Sequence, residues 1–211
     1  IEWPPEKIAV MVDSIRGGLS LESGDLIIDL GCGGGWIGGR LKPFVRRVCG
    51  LDIALHMLDH ARETIGPGAL VCGSIGNLPF KDQTFDKVLS YYVFMNFRED
   101  AFVEAGIREM MRVLKKDGRA LIGQLPDERG SSDYDRQKAD YLEYCAKRFP
   151  VGKNTRDCCA PPIKLFDRGR LCAFLEKERI RYEIQDSFNP FYRPGEPPLI
   201  DWRFDVILHK D

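Results

Sequence analysis

The chain has 211 residues, enough for one domain with a substantial core and too few for two domains of ordinary size. Its 31 Lys and Arg residues nearly balance 32 Asp and Glu residues, and no long block of like charge occurs. This charge pattern disfavours a nucleic-acid-binding arm or a surface that binds anionic membrane. We therefore expect neither nucleic acid nor membrane as a partner.

The longest apolar run has only five residues, Tyr91 to Met95, so neither a membrane-spanning helix nor a signal peptide is expected. Seven cysteines, an odd number, fit a reducing compartment better than a disulfide framework. The three histidines and the cysteines show no metal-ligand spacing, so no metal site is expected. These features together predict a cytoplasmic protein.

In chain order, apolar residues at helical spacing first predict an amphipathic helix that follows Pro5 and stops at Gly17 and Gly18. From Leu26 onward, strand-like and helical segments alternate. The predicted strands are LIIDL, RRVCGLD, ALVCG, FDKVLSYY and GRALIGQL, and the predicted helices end at Leu41, run from Ala54 to about Ile65, and run from about Glu99 to Leu114. Five strands joined by crossovers predict a doubly wound, Rossmann-like parallel sheet with helices on both faces.

The alternation of strands and helices stops after the fifth predicted strand. Residues 126–165 look like an insertion, with a helix at about 136–148. A helix at 168–178 then leads to RIRYEIQ and RFDVILHK, which a proline-rich loop connects without a helix. Such a connection suits an antiparallel pair. We therefore predict an α/β fold with a mostly parallel seven-stranded sheet and an antiparallel last strand.

Glycines are concentrated directly after the first strand, at Gly31 and Gly33 to Gly35. In an open parallel sheet this loop is the usual cradle for a ligand, and glycine allows the main chain to approach it closely. Asp52 closes the second strand, where a carboxylate can accept hydrogen bonds from ribose hydroxyls. A nicotinamide cofactor and S-adenosylmethionine both satisfy this pattern.

The spacing of the glycines distinguishes between these two candidate ligands. The dinucleotide fingerprint has its third glycine three residues after the second, whereas here Gly31, Gly33 and Gly35 are each two apart. Asp29 stands just before them, where a carboxylate opposes a pyrophosphate but favours a cationic sulfonium ligand that also carries an ammonium group.

Four segments, DLGCGGG, GLDIALHMLDHAR, GSIGNLPFKDQTFDKVLS and REMMRVLKKDGRALI, occur in order between about Asp25 and Gln124. They resemble the successive motifs of the class I, seven-stranded S-adenosylmethionine-dependent methyltransferases, in particular the methyltransferase domain 11 group. The resemblance implies one methyltransferase domain over residues 1–211. Its parts would be a helical lid at 1–24, a donor-binding core at 25–125, an insertion or acceptor cap at 126–165, and the last helix and antiparallel strands at 166–211.

The resemblance also implies a donor site for S-adenosylmethionine, with S-adenosylhomocysteine as product. Asp29, Gly31 and Gly33 would hold the methionine end, and the backbone around Ser90 would close its pocket. Gly35 would also belong to the donor site, and Asp52 would bind the ribose hydroxyls. The adenosine would lie between Ile53 and Met57. Ser74 stands where members commonly have an acid, so it would bind adenine more weakly, and the main-chain NH of Ile75 would carry more of that recognition.

Tyr91 and Tyr92 end the fourth strand, where an acceptor would approach, so either is a candidate to hydrogen-bond the nucleophile. The alternative is that one packs against a helix and the other forms a pocket wall. The predicted function is methyl transfer to a small-molecule acceptor by in-line displacement, in a monomer or weak homodimer. A non-catalytic protein that binds the same donor is the alternative, and a nicotinamide-dependent oxidoreductase is a weaker one.

Overall fold

The computed structural model describes residues 5–130, 163–187 and 203–211. The helix predicted at about 136–148 and the proline-rich loop between the last two strands lie outside these residues. The helices are α1 (Pro5–Leu19), α2 (Trp36–Leu41), α3 (Leu55–Thr64), α4 (Asp100–Val113) and α5 (Arg168–Lys177). The strands are β1 (Leu26–Leu30), β2 (Arg47–Asp52), β3 (Leu70–Cys72), β4 (Phe85–Tyr91), β5 (Leu114–Pro126), β6 (Arg181–Ser187) and β7 (Arg203–His209).

The seven strands form one sheet in the order β3-β2-β1-β4-β5-β7-β6. The neighbours from β3 to β5 are parallel, and β7 is antiparallel to both β5 and β6. The predicted fold class is therefore confirmed, including the antiparallel last strand. The chain order reverses between β1 and β4, so loops on the two sides of β1 diverge there and leave a crevice at the carboxyl ends of the strands.

Apolar side chains fill both faces of the sheet, as the continuous hydrophobic pattern of the central strands requires. On one face, α4 and α5 pack with Ile28, Val88 and Phe204. On the other, α1, α2 and α3 pack with Ile27 and Leu89. Neighbouring residues of one strand thus belong to opposite cores, because successive side chains of a strand alternate between faces.

The first helix does not stop at Gly17 and Gly18, so that boundary prediction was wrong. It continues to Leu19 and ends where Ser20 adopts a left-handed φ of 48°. Gly18 is buried, and a Cβ atom there would lie 2.8 Å from Leu121 Cδ1. The glycine lets α1 approach β5 and β7 closely; it does not terminate the helix.

A single arginine ties the segment before β4 to helix α4. The Arg112 guanidinium donates to the carbonyl oxygens of Leu78 and Phe80 and forms ion pairs with Glu109 and Asp82. These bonds fix the path of the chain into β4, and so help to set the position of the crevice. Among the helices that the structure describes, none combines the length and apolarity needed to cross a membrane.

Candidate active site

A cavity of about 380 Å³ opens at the crevice beside β1, at the carboxyl ends of β1, β2, β3 and β4. The sheet thus brings together residues as far apart in the sequence as Gly31 and Phe102. Seven of the predicted site residues line the cavity: Gly31, Asp52, Ile53, Ser74, Ile75, Tyr91 and Tyr92. The remaining predicted residues lie behind its walls.

The glycine loop turns sharply between β1 and α2. Gly31 has a φ of 75°, and a Cβ atom on it would lie 2.5 Å from Val93 Cγ2. Any other side chain would therefore push apart the loop and the segment that follows β4. Gly33 also has a positive φ, and its NH donates to Asp52 Oδ2 over 2.8 Å.

Asp52 is held in a fixed orientation at the end of β2. Its Oδ2 accepts from the NH of Gly33 and its Oδ1 from the NH of Ala54, each over 2.8 Å. A carboxylate oxygen accepts about two hydrogen bonds, so both oxygens keep a lone pair beyond these contacts. Asp52 lines the cavity with a preoriented pair of acceptors, and this arrangement suits a pair of adjacent hydroxyls.

Asp29 lies beneath the loop and not on the cavity wall. Its side chain is buried, and its Oδ2 has no hydrogen-bond partner. Burial raises the pKa of this carboxyl from 3.8 to about 7; the NH of Gly38 opposes that shift and the nearby charge of Asp52 adds to it. Two carboxyl groups therefore act on one side of the cavity. This combination favours a cation and opposes a pyrophosphate.

Of the two residues predicted to flank the adenosine, only Ile53 lines the cavity. Ile53 lines the cavity with 77% of its surface exposed, whereas Met57 is half-buried near Gly33 and does not line it. Ser74 Oγ accepts from the NH of Gly76 over 3.3 Å. That contact uses one of the positions at which the Ser74 hydroxyl can accept a hydrogen bond. Ser74 therefore stabilises a turn and also lines the cavity.

Two predicted residues serve packing instead of facing the cavity. A Cβ atom on Gly35 would lie 2.2 Å from Thr64 Oγ1, so this glycine allows close contact with α3. Ser90 is fully buried, and its hydroxyl donates to the carbonyl of Leu30 over 3.1 Å. Their effect on the site is indirect, because they set the distances between the elements that form it.

The two tyrosines stand at the end of β4 with ring centroids 5.2 Å apart in an edge-to-face arrangement. Burial raises the pKa of both phenols. Each therefore stays protonated at neutral pH and is not a base there. Gln124 Nε2 donates to the Tyr91 hydroxyl over 3.3 Å. Tyr92 has a left-handed φ of 63°, an uncommon conformation for a bulky residue.

Several cavity residues were not predicted as site residues. Val93, Phe97 and Phe102 add an apolar and aromatic wall, and Asn96 also lines the cavity while its amide donates to the carbonyls of Tyr92 and Val93. The signal in the sequence was the run YYVFMNF after the fourth strand. Periodicity alone does not separate a pocket wall from ordinary core.

The residues present fit S-adenosylmethionine. Asp29 offers an unpaired buried acceptor, Gly31 lets the loop pack closely on Val93 at the cavity wall, and Asp52 offers oriented acceptors beside an aromatic wall. Within the described residues, no group of three or more His, Cys, Asp or Glu side chains is placed to hold a metal ion.

Comparison with known proteins supports this interpretation. Residues 28–122 match the family model of a methyltransferase domain. A malonyl-[acyl-carrier protein] O-methyltransferase from Erwinia pyrifoliae is 33% identical over 101 residues, covering 48% of this chain and 37% of that protein. A tRNA (carboxymethyluridine(34)-5-O)-methyltransferase from Xenopus tropicalis is 32% identical over 124 residues, covering 59% of this chain and 19% of that protein. The matches thus span less than half the length of these relatives.

Solved structures share the fold over nearly the whole chain. The YcgJ protein from Bacillus subtilis superposes with a TM-score of 0.62 at 16% identity, covering 98% of this chain and 99% of that one. The matched range, residues 28–122, runs from within β1 to within β5. Residues 28–122 therefore match a methyltransferase domain of the methyltransferase domain 11 group, and this match together with the shared fold supports a class I, S-adenosylmethionine-dependent methyltransferase.

Proposed function

We propose that this protein transfers the methyl group of S-adenosylmethionine to a small-molecule acceptor by in-line displacement. The observation that carries the proposal is the Asp52 carboxylate, which two backbone NH groups hold in place on the wall of the cavity. The unpaired oxygen of Asp29 beneath the same loop favours a cationic ligand over a dinucleotide.

In this proposal the protein contributes mainly alignment and exclusion of water. When bound, the donor supplies a sulfonium methyl group, whose bond to sulfur breaks as a lone pair of the acceptor forms the new bond. Asp52 and the glycine loop orient the donor, and Phe97 and Phe102 shield it from water. The protonated Tyr91 and Tyr92 hydroxyls can donate to an acceptor atom, but they do not remove its proton.

A small acceptor is favoured over a macromolecule by the near-neutral charge of the chain and by the concave, partly aromatic cavity. The relatives named above act on a carrier-bound malonyl group and on a tRNA nucleoside, so family membership leaves the acceptor open. We extend the proposal to the regions outside the core: residues 1–24 would act as a lid and residues 126–165 as an acceptor cap.

Isothermal titration with S-adenosylmethionine, S-adenosylhomocysteine and NAD tests the donor site. We expect micromolar binding of both adenosyl ligands and much weaker binding of NAD. Asp52→Ala removes two charge-assisted hydrogen bonds to the ribose, so we expect affinity to fall by about 10- to 100-fold. Asp59→Ala is the matched control, because Asp59 is an exposed acid on α3, paired with Arg62, and we expect it to bind as the wild type.

The outcomes are distinct. No binding of either adenosyl ligand, or tighter binding of NAD, contradicts the proposed donor site. Binding of both adenosyl ligands without methyl transfer across a broad set of acceptors would instead favour a non-catalytic binding protein, an alternative that the protonated tyrosines and Ser74 support. Circular dichroism of each variant separates loss of binding from loss of folding.

A further inference from the structure

Polar side chains occupy core-facing positions at the end of the sheet beyond the donor cavity. Arg203 and Asp205, at the start of β7, are 6% and 3% exposed, and Gln124 on the adjacent strand β5 is equally buried. They lie on the same face of the sheet as Tyr91, whose hydroxyl contacts Gln124. Burying such groups is costly, so a cluster of this kind is more typical of a functional site than of ordinary core.

Arg203 is the cation of this cluster, and its bonds leave it incompletely satisfied. Its Nη1 donates to the carbonyl of Gln124 over 2.9 Å and lies 3.8 Å from Met95 Sδ. Its Nε is buried without a hydrogen-bond partner. The guanidinium also lies 5.6 Å from the ring centroid of Tyr92, which lines the donor cavity. Arg203 therefore adjoins a tyrosine that lines the donor cavity.

Asp205 attracts the charge of Arg203 electrostatically, but within the described part of the chain Arg203 forms no direct ion pair with an acid. There, no carboxylate oxygen lies within ion-pairing distance, 4.0 Å, of an Arg203 nitrogen. Asp205, the nearest acid along β7, accepts instead from the NH of Gln124 over 2.7 Å. An arginine side chain keeps its charge even when buried, and it prefers planar, bidentate partners such as carboxylates.

We propose that Arg203 binds a carboxylate of the methyl acceptor through its guanidinium, and so places the acceptor beside Tyr91 and Tyr92. This inference rests on the proposed function, because it concerns the acceptor side of the same site. It narrows the acceptor to small organic acids. Arg203 is then a substrate-binding residue that determines specificity, with no part in the bond-making step.

Nuclear magnetic resonance of the arginine Nε–Hε groups tests this directly, in the full chain and without a known acceptor. Protein saturated with S-adenosylhomocysteine is titrated with sodium acetate, and in parallel with acetamide, the neutral analogue, at constant ionic strength. We expect acetate to move the Arg203 cross-peak along a saturable curve and acetamide to leave it in place. Arg203→Lys assigns the cross-peak. Arg181, an exposed residue at the opposite end of neighbouring strand β6, is the internal control.

The variants give a second readout. We expect Arg203→Gln to weaken acetate binding by at least about tenfold, with Arg203→Lys intermediate and Arg181→Gln unchanged. An Arg203 cross-peak that acetate does not move, in protein that binds S-adenosylhomocysteine normally, overturns the inference and leaves the proposed function intact. Failure to bind S-adenosylhomocysteine contradicts the proposed function instead, and the acetate titration of the free protein still decides the role of Arg203. Since the wild type carries the main test, misfolding of a variant cannot obscure the result.

Discussion

The Asp29 carboxyl illustrates how burial of a single ionisable residue makes the stability of the protein depend on pH. It is buried beneath the glycine loop, one oxygen has no partner, and its pKa is raised from 3.8 to about 7. The folded state thus holds the proton more tightly than the unfolded chain. Ionising the group opposes folding, so its contribution to the free energy of unfolding falls as the pH rises from about 4 to about 7 and stays constant above that range.

We expect Asp29→Asn to stabilise the protein at pH 8 and to have little effect near pH 4, where the wild-type carboxyl is already neutral. The gain at pH 8 should be on the order of 1–3 kcal/mol, since a shift of one pKa unit corresponds to about 1.4 kcal/mol. Urea unfolding at the two pH values measures it. The same variant should bind S-adenosylmethionine more weakly, because the carboxylate that favours a cation is gone.

An exposed acid provides the control for this experiment. Asp59→Asn, on the surface of α3, should change stability by less than about 0.5 kcal/mol at either pH. An equal gain from Asp29→Asn at both pH values, or a loss at pH 8, would show that the buried charge is not what limits stability.

Among the elements, helix α1 shows how two adjacent glycines take different roles. A Cβ on Gly17 would have no neighbouring atom within 4 Å, whereas a Cβ on Gly18 would lie 2.8 Å from Leu121 Cδ1 and 3.3 Å from Ile207 Cδ1. Leu121 and Ile207 are both buried in the core that α1 covers. Gly17 therefore only weakens the helix, while Gly18 allows it to reach the sheet.

Alanine substitution separates the two roles. Gly17→Ala should stabilise the protein by about 0.5–1 kcal/mol, because alanine loses less backbone entropy in a helix. Gly18→Ala gains the same helix propensity but overpacks the contact with β5 and β7, so we expect a net loss of about 1–2 kcal/mol. Denaturant unfolding of the two variants gives the difference. Equal effects on stability would mean that β5 and β7 accommodate the added methyl group at position 18 without destabilising the protein.

The same helix shows what the sequence alone can predict at this scale. The strands of the core and helices α2 to α4 were predictable because their apolar periodicity and bounding turns are local. The end of α1 was not, since Gly18 is fixed by Leu121 and Ile207, which lie more than a hundred positions away in the chain. The position of Asp52 at the end of a strand was predictable, whereas the packing contacts of Gly35 with α3 and of the Ser90 hydroxyl with Leu30 were not.

At the scale of the whole molecule, the sheet order creates neighbours that no local pattern reveals. Inserting β7 between β5 and β6 places Arg203 beside Gln124 and close to Tyr92. In the sequence, RFDVILHK reads only as a strand, and its arginine gives no sign of burial. The donor half of the site therefore follows from contiguous motifs, while the proposed acceptor half depends on long-range pairing.

The distribution of charge over the chain predicts weak binding to RNA. Basic and acidic residues nearly balance, and arginines such as Arg108 and Arg112 are neutralised by ion pairs. The exposed Lys42, Arg46 and Arg47 lie where β2 begins, at the opposite end of that strand from the Asp52 cavity. RNA held there would not reach the proposed site.

At about 150 mM KCl we expect a Kd for bulk tRNA weaker than about 100 µM by filter binding. Micromolar binding with a steep salt dependence would contradict this and favour a nucleic-acid acceptor, and Arg46→Gln with Arg47→Gln would then show whether this patch or the cavity rim is responsible.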